Sequence, residues 1–103
     1  MVEYTFPLDQ VFASLADPTR RDIVSRLQWG MLNISAVAEP YDISLAAVSK
    51  HLKVLERARL VVKRKKGREC YVALSPEVLH AASEYLQQYE ALWNQRLESV
   101  KAS

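Results

Sequence analysis

The segment KRKKGR, residues 63 to 68, sets five cations around a single glycine. A few residues earlier, Ser49, Lys50, Lys53 and Arg57 recur at the spacing of one helix face. Ammonium and guanidinium groups in this density neutralise phosphate oxygens, and polar side chains of this length reach base edges. Residues 44 to 68 hold nine cations against Glu56 alone, a local charge of +8. The rest of the chain carries −6, so the net charge of +2 hides a strong asymmetry. A chain polarised in this way steers one face towards a polyanion, with nucleic acid the leading candidate.

Other chemistries find less support. An enzyme needs a nucleophile with its base, paired carboxylates in a cleft or a phosphate-binding loop, and the lone Gly67 makes no glycine-rich cradle. His80 has Glu84 one helical turn away, but two ligands do not complete a tetrahedral metal site, so a solvated surface histidine is the plainer reading. His51 faces inward on its helix and reads as a hydrogen-bonded packing residue. Cys70 alternates inward on a strand and reads as a small core residue, with redox sensing a minor alternative. No catalytic residue, metal or cofactor is expected.

The elements that must position these side chains follow from periodicity and caps. At 103 residues, half of them apolar, the chain reads as one domain, 1–103. Two glycines and four prolines point to a helix-rich fold. Leu8, Val11, Phe12, Leu15 and Ala16 predict a first helix over 8–16. Asp17-Pro18 supplies an N-cap and a proline at the first position of a second helix reaching about Trp29, with Gly30 as its left-handed C-cap. Asn33 or Ser35 caps a short third helix, about 34–39, which Pro40 stops. Ser44 caps a fourth helix that runs to about Ala58.

The period then shortens to two. Cys70, Val72 and Leu74 alternate with Glu69, Tyr71 and Ala73, and Lys66-Gly67-Arg68 reads as a hairpin turn. A basic hairpin directly after the second helix of a helix-turn-helix is a winged helix. The fold class is therefore mainly α (α+β), about five helices with a two-stranded β-hairpin wing.

Ser75-Pro76-Glu77 starts a long last helix, about 76–100, whose apolar residues fall in a band roughly 140° wide. About 25 residues of helix span ~37 Å, more than so small a body covers. The far half, with Tyr89, Trp93 and Leu97, needs another partner, and a second copy is the economical choice.

On the fourth helix, Leu45, Val48, His51, Leu52 and Leu55 form the expected inner side and Ala46, Ser49, Lys50, Lys53 and Arg57 the outer one. Small Ala46 permits approach to a major-groove floor, Ser49 and Lys50 reach base edges, and Lys53 and Arg57 reach phosphates. Ser44 presents its backbone N–H to a phosphate. In the wing, Lys65, Lys66 and Arg68 suit a phosphate backbone or a minor groove. Lys63 and Arg64 alternate in direction, so at most one faces the duplex.

With these residues in place, DPTRRDIVSRL, ISLAAVSKHLKVLERARLV and GRECYVALSPE resemble the ArsR/SmtB winged-helix transcriptional regulators over nearly the whole chain. LADPTRR, AEPYDIS and Trp93, Arg96 and Leu97 near the C-terminus resemble a branch that does not use metal, and the third-helix region NISAVAEP has no thiol. The resemblance implies a dimeric repressor. It adds Leu8, Val11, Phe12 and Leu15 of the first helix, with Tyr85 and Leu86 of the last, to the dimer surface. It places Ser44, Ala47, Ser49, Lys50 and His51 at the recognition-helix motif and Arg68 at the wing. Two departures stand out. Arg59 occupies a position where relatives usually have glycine, so a left-handed cap there is strained or replaced. Ala46 stands where proline is frequent.

The expectation is thus a homodimeric, sequence-specific regulator of double-stranded DNA, acting as a repressor on a palindromic operator. The alternative is a winged helix that binds another protein, although such a domain needs no cationic face. A nuclear-localisation signal would lie in a disordered segment, and RNA binding would call for aromatics in the basic stretch. No membrane span or signal peptide is visible, and a single cysteine fits the cytoplasm. The sequence specifies no small-molecule effector.

Overall fold

Three polar side chains start three of the helices. The Asp17 carboxylate accepts the Arg20 N–H at 3.0 Å, the Asn33 side chain accepts the Ala36 N–H at 2.8 Å, and Ser44 Oγ accepts the Ala47 N–H at 3.1 Å. Each satisfies a donor that the first helical turn leaves without an intrahelical partner. The computed structural model describes residues 7–102. Its elements are α1 (Leu8–Ser14), α2 (Pro18–Leu27), β1 (Leu32–Asn33), α3 (Ile34–Ala38), α4 (Leu45–Arg57), β2 (Val61–Lys66), β3 (Glu69–Leu74) and α5 (Pro76–Ala102). This is a winged helix-turn-helix.

The helix ends differ in detail from expectation. The α1 helix stops at Ser14, and α2 stops at Leu27 with Gln28 in an ordinary right-handed conformation. Gly30 does take a positive φ of 137°, but two residues beyond that cap, where the chain turns into β1. The end of α4 is the left-handed one. Arg59 has φ 63°, its N–H bonds Glu56 O at 3.0 Å, and the Leu60 N–H bonds Leu55 O at 3.0 Å. That pair of bonds is the Schellman arrangement, and here an arginine occupies the position that favours glycine. Leu55 and Leu60, the positions whose apolar side chains accompany the motif, are both completely buried in the same core cluster.

The wing is part of a three-stranded sheet of order β1-β3-β2, rather than a two-stranded hairpin alone. β1 pairs with β3 through Leu32↔Val72 and Asn33↔Tyr71, a match too short to leave an alternating pattern in the sequence. β2 and β3 pair antiparallel from Val61↔Leu74 to Lys66↔Glu69. Gly67, with φ 63°, is the first of two loop residues and the one with positive φ, which is the type II′ hairpin pattern. The cations of β2 also blunt an exposed sheet edge against pairing with other chains.

The core forms where α1, α2, α4, the sheet and the start of α5 meet. Val11, Ile23, Leu52, Leu55, Leu60, Val61, Val72 and Val78 are at most 1% exposed. Each such side chain contributes about 1.5–3 kcal/mol by leaving water. Two expectations are corrected. Leu45 is not an inner residue of α4 but 57% exposed. At about 100° per residue it sits on the margin of the arc centred on Val48, Leu52 and Leu55, in a first turn where Leu45 and Ala46 are both exposed. Val11 is completely buried inside this chain's own core, so it lines no exposed face of α1.

Val78 and Ala82 anchor α5 to the core, and Tyr85 reaches the Phe12 ring of α1 at 5.9 Å between centroids. From Leu86 to Lys101 every residue is exposed, a length of about 24 Å. The radius of gyration is accordingly 17.2 Å, against about 13 Å for a compact chain of this size.

Candidate nucleic-acid interface

The second half of the helix-turn-helix is held from below by arginines that the sequence reading did not single out. Arg26 of α2 donates to Val37 O at 2.9 Å and Ala36 O at 2.8 Å, meeting carbonyls that five-residue α3 leaves open at its end. The same guanidinium donates to Tyr41 Oη at 3.2 Å and lies 5.4 Å from the centre of that ring. Tyr41 in turn donates to Asp22 at 2.5 Å. Burial, then this bond to Asp22, raises the Tyr41 pKa. The turn between α3 and α4 is thereby fixed to α2.

Arg20 does the same for α4. Its Nε donates to Ser14 O at 2.6 Å, its Nη2 reaches Ala13 O at 3.5 Å, and its Nη1 meets His51 Nδ1 at 3.3 Å. The Asp17 carboxylate lies 3.9 Å from the same His51 nitrogen. The Arg20 backbone N–H, more than anything else, holds the Asp17 carboxyl below its ordinary value. One guanidinium therefore ties the end of α1, the start of α2 and the middle of α4 together. Arg21 adds a bond to Leu15 O at 2.9 Å. The signal was available in DPTRRD, where arginines directly follow a cap and can fold back onto the preceding helix.

With its inner side seated, α4 presents Ala46, Lys50, Lys53 and Arg57 as exposed side chains, while Ala47, Ser49 and His51 are half-buried. Ser44 is exposed, but its hydroxyl is committed to the Ala47 N–H. The exposed side of α4 thus carries Ala46 in its first turn and Lys50, Lys53 and Arg57 further along, with Ser49 half-buried beside them. His51 is turned towards Arg20 and Asp17 rather than outward, in keeping with a packing role.

The wing is joined to this helix at its root, where Lys63 Nζ lies 3.9 Å from the Glu56 carboxylate. Strand alternation then sorts the other cations. Lys63 and Lys65 share a face with Cys70, Val72 and Leu74, whereas Arg64 and Lys66 share the opposite face with Glu69 and Tyr71. Tyr71 donates to Glu69 at 2.6 Å, and that bond raises its pKa. Arg64, Lys65, Lys66 and Arg68 are all exposed. Cys70 is half-buried beside a shallow recess with Asn33 and Glu69, less enclosed than a core residue.

The far half of α5 carries the other exposed set. Leu86, Tyr89, Trp93 and Leu97 are exposed, with Trp93 at 61%, and Tyr85 and Tyr89 join through their hydroxyls at 2.9 Å. Leu8 and Phe12 of α1, and Leu15 just past its end, are half-buried. His80 pairs with Glu84 at 3.0 Å, and among the described residues no group of three or more metal-binding side chains forms. Nor is any described helix long and apolar enough to cross a membrane.

Comparison with known proteins agrees with this geometry. Residues 15–64 match the family model of a helix-turn-helix domain. The chain is 44% identical over 81 residues to the HTH-type transcriptional regulator Rv2034 of Mycobacterium tuberculosis, covering 79% of this chain and 75% of that one. It is 35% identical over 72 residues to the transcriptional repressor SdpR of Bacillus subtilis, covering 70% and 80%. Among solved structures, an ArsR-like transcriptional regulator from Rhodococcus sp. RHA1 superposes with a TM-score of 0.77 at 33% identity, covering 91% of this chain and 89% of that one.

Proposed function

The chain belongs to the ArsR family of winged helix-turn-helix transcriptional regulators, and from that premise we propose that it is a homodimeric repressor of double-stranded DNA. In this reading α4 enters the major groove. Ser49 and Lys50 address base edges, Lys53 and Arg57 take phosphates, and the wing residues Lys65, Lys66 and Arg68 follow the backbone or the adjacent minor groove. The observation that carries it is the pairing of an exposed cationic face on α4 with a basic hairpin joined to that helix through Glu56 and Lys63.

Two copies would meet through α1 and α5. A 27-residue helix with Leu86, Tyr89, Leu92, Trp93 and Leu97 exposed has little packing of its own to hold its far half. An isologous contact along that face covers the apolar band in both copies and sets two recognition helices on one side of the assembly. A palindromic operator with half-sites about one helical turn apart is the matching DNA.

The test is a salt titration on operator fragments selected from genomic DNA. Four phosphates neutralised per subunit correspond to a log–log slope of about −7. A slope near zero, or no preference for the selected fragments over random DNA, overturns the proposal.

A further inference from the structure

Between α1 and α4 lies a cleft of about 280 Å³ lined by Gln10, Ala13, Ser14, Arg20, Val54 and Arg57. We propose that it is a binding site for a small organic monocarboxylate, whose occupancy weakens DNA binding.

Arg20 and Arg57 both line this one small space, and among the described residues no carboxylate lies at ion-pair distance from either. Arg20 directs three of its five N–H groups at Ser14 O, Ala13 O and His51 Nδ1, and the Asp17 carboxylate offsets part of its charge from beyond direct ion-pair distance. Two donors remain for a ligand without breaking any of those bonds. The Arg57 side chain makes no hydrogen bond or ion pair among the described residues. A carboxylate between the two therefore finds charge-assisted donors on both sides. Ala13 and Val54 supply apolar wall, which favours an anion with a hydrocarbon part over inorganic phosphate. At about 30 Å³ per water-sized unit the space suits on the order of ten non-hydrogen atoms.

The position gives the site a consequence. The cleft is bounded by α1, by Arg20 of α2 and by the last turns of α4. Resting on the reading of α4 as the DNA-contacting helix, an anion there neutralises Arg57, a phosphate contact. It also recruits the arginine that seats His51. Ligand and DNA then oppose one another, and the coupling is reciprocal.

The test is an amide NMR titration of the full chain with sodium benzoate and with sodium hexanoate, at constant ionic strength, with benzamide as the neutral isostere of benzoate. Saturable shifts are expected at Ala13, Val54 and Arg57 with at least one of the carboxylates and none with benzamide. Arg57→Gln, at an exposed position, is expected to weaken binding by about tenfold, because a neutral amide replaces one of the two charged forks. Shifts that fail to saturate, that spread over the β2 lysines, or that persist unchanged in Arg57→Gln overturn the site. Operator affinity, measured in parallel, is expected to fall at least about threefold in saturating ligand for the wild type only. Binding at the cleft with unchanged operator affinity overturns the regulatory link while leaving the site standing. Failure of the chain to bind any DNA overturns the proposed function and that link, and the NMR arm still decides the site.

Discussion

Arg20 Nη1 and His51 Nδ1 lie 3.3 Å apart, and their chemistry fixes the direction of the bond. A guanidinium only donates, so His51 Nδ1 is the acceptor in this bond. The half-buried histidine in the middle of α4 is thus oriented by a residue thirty-one positions earlier in the chain.

Arg20→Ala is expected to cost about 1–3 kcal/mol in stability, since Ser14 O and His51 Nδ1 lose a donor. Operator affinity should fall by more than that of Arg21→Ala, whose bond reaches only α1. Arg20→Lys should restore little, because an ammonium cannot span three acceptors in a plane. Urea unfolding, fluorescence anisotropy and the nitrogen shifts of His51 check this. Wild-type behaviour in Arg20→Ala would remove the coupling.

The Asp17 cap carries a pH signature. Its carboxyl is held below the ordinary value of 3.8, mainly by the Arg20 N–H. A depressed carboxyl stabilises the fold above its unfolded value and loses that contribution as pH falls through the folded one. Asp17→Ala should therefore cost about 1 kcal/mol near neutrality. The gap to wild type should close below pH 3.8, through the lowered value. A gap that stays constant into strong acid contradicts the assignment.

Lys50→Ala and Lys66→Ala should fail differently. The first is expected to cost about 1–3 kcal/mol on the operator and relax base preference at one position. The second should weaken all DNA sequences alike and flatten the salt slope by about 1. Competition binding with operator and random duplexes separates them, and identical profiles would misassign the two surfaces.

Trp93→Glu places a charge in the exposed apolar band of α5. Analytical ultracentrifugation should show monomers, and operator affinity should fall by far more than affinity for a single half-site. A wild-type monomer at micromolar concentration would end the dimer proposal.

Arg59→Gly is expected to stabilise. A residue with a Cβ pays roughly 1–2 kcal/mol in the left-handed region, offset in part by the greater freedom of glycine when unfolded. The melting temperature should rise by several degrees at fixed protein concentration, about 4–8 °C per kcal/mol for a domain of this size. A lower value would mean that the arginine makes a compensating contact.

Much of this was legible because local chemistry wrote it. Asp17, Asn33 and Ser44 cap the helices that their types announce, and Gly67 turns the hairpin with the positive φ that its type favours. What stayed hidden depends on long-range pairing. The strand β1 is two residues long and exists only because Val72 and Tyr71 lie beside it. Leu45 has the composition of an inner residue, but it lies on the margin of the buried arc in the first turn of α4 and is exposed. Arg20, Arg26 and Tyr41 look like ordinary surface residues until the chain folds back to give them acceptors. For the cationic face the sequence supplied the identities, and the tertiary bonds supplied its seating.

The third strand also governs how the wing can move. β1 meets β3 only at Val72 and Tyr71, the half of the hairpin nearer the core, so the outer half from Lys65 to Cys70 is braced by a single neighbouring strand. Mechanically this is a cantilever with a clamped base and a charged free end. On the proposed reading, a tilt of that arm would leave the packing beneath it in place and let grooves of unequal width meet the same set of cations.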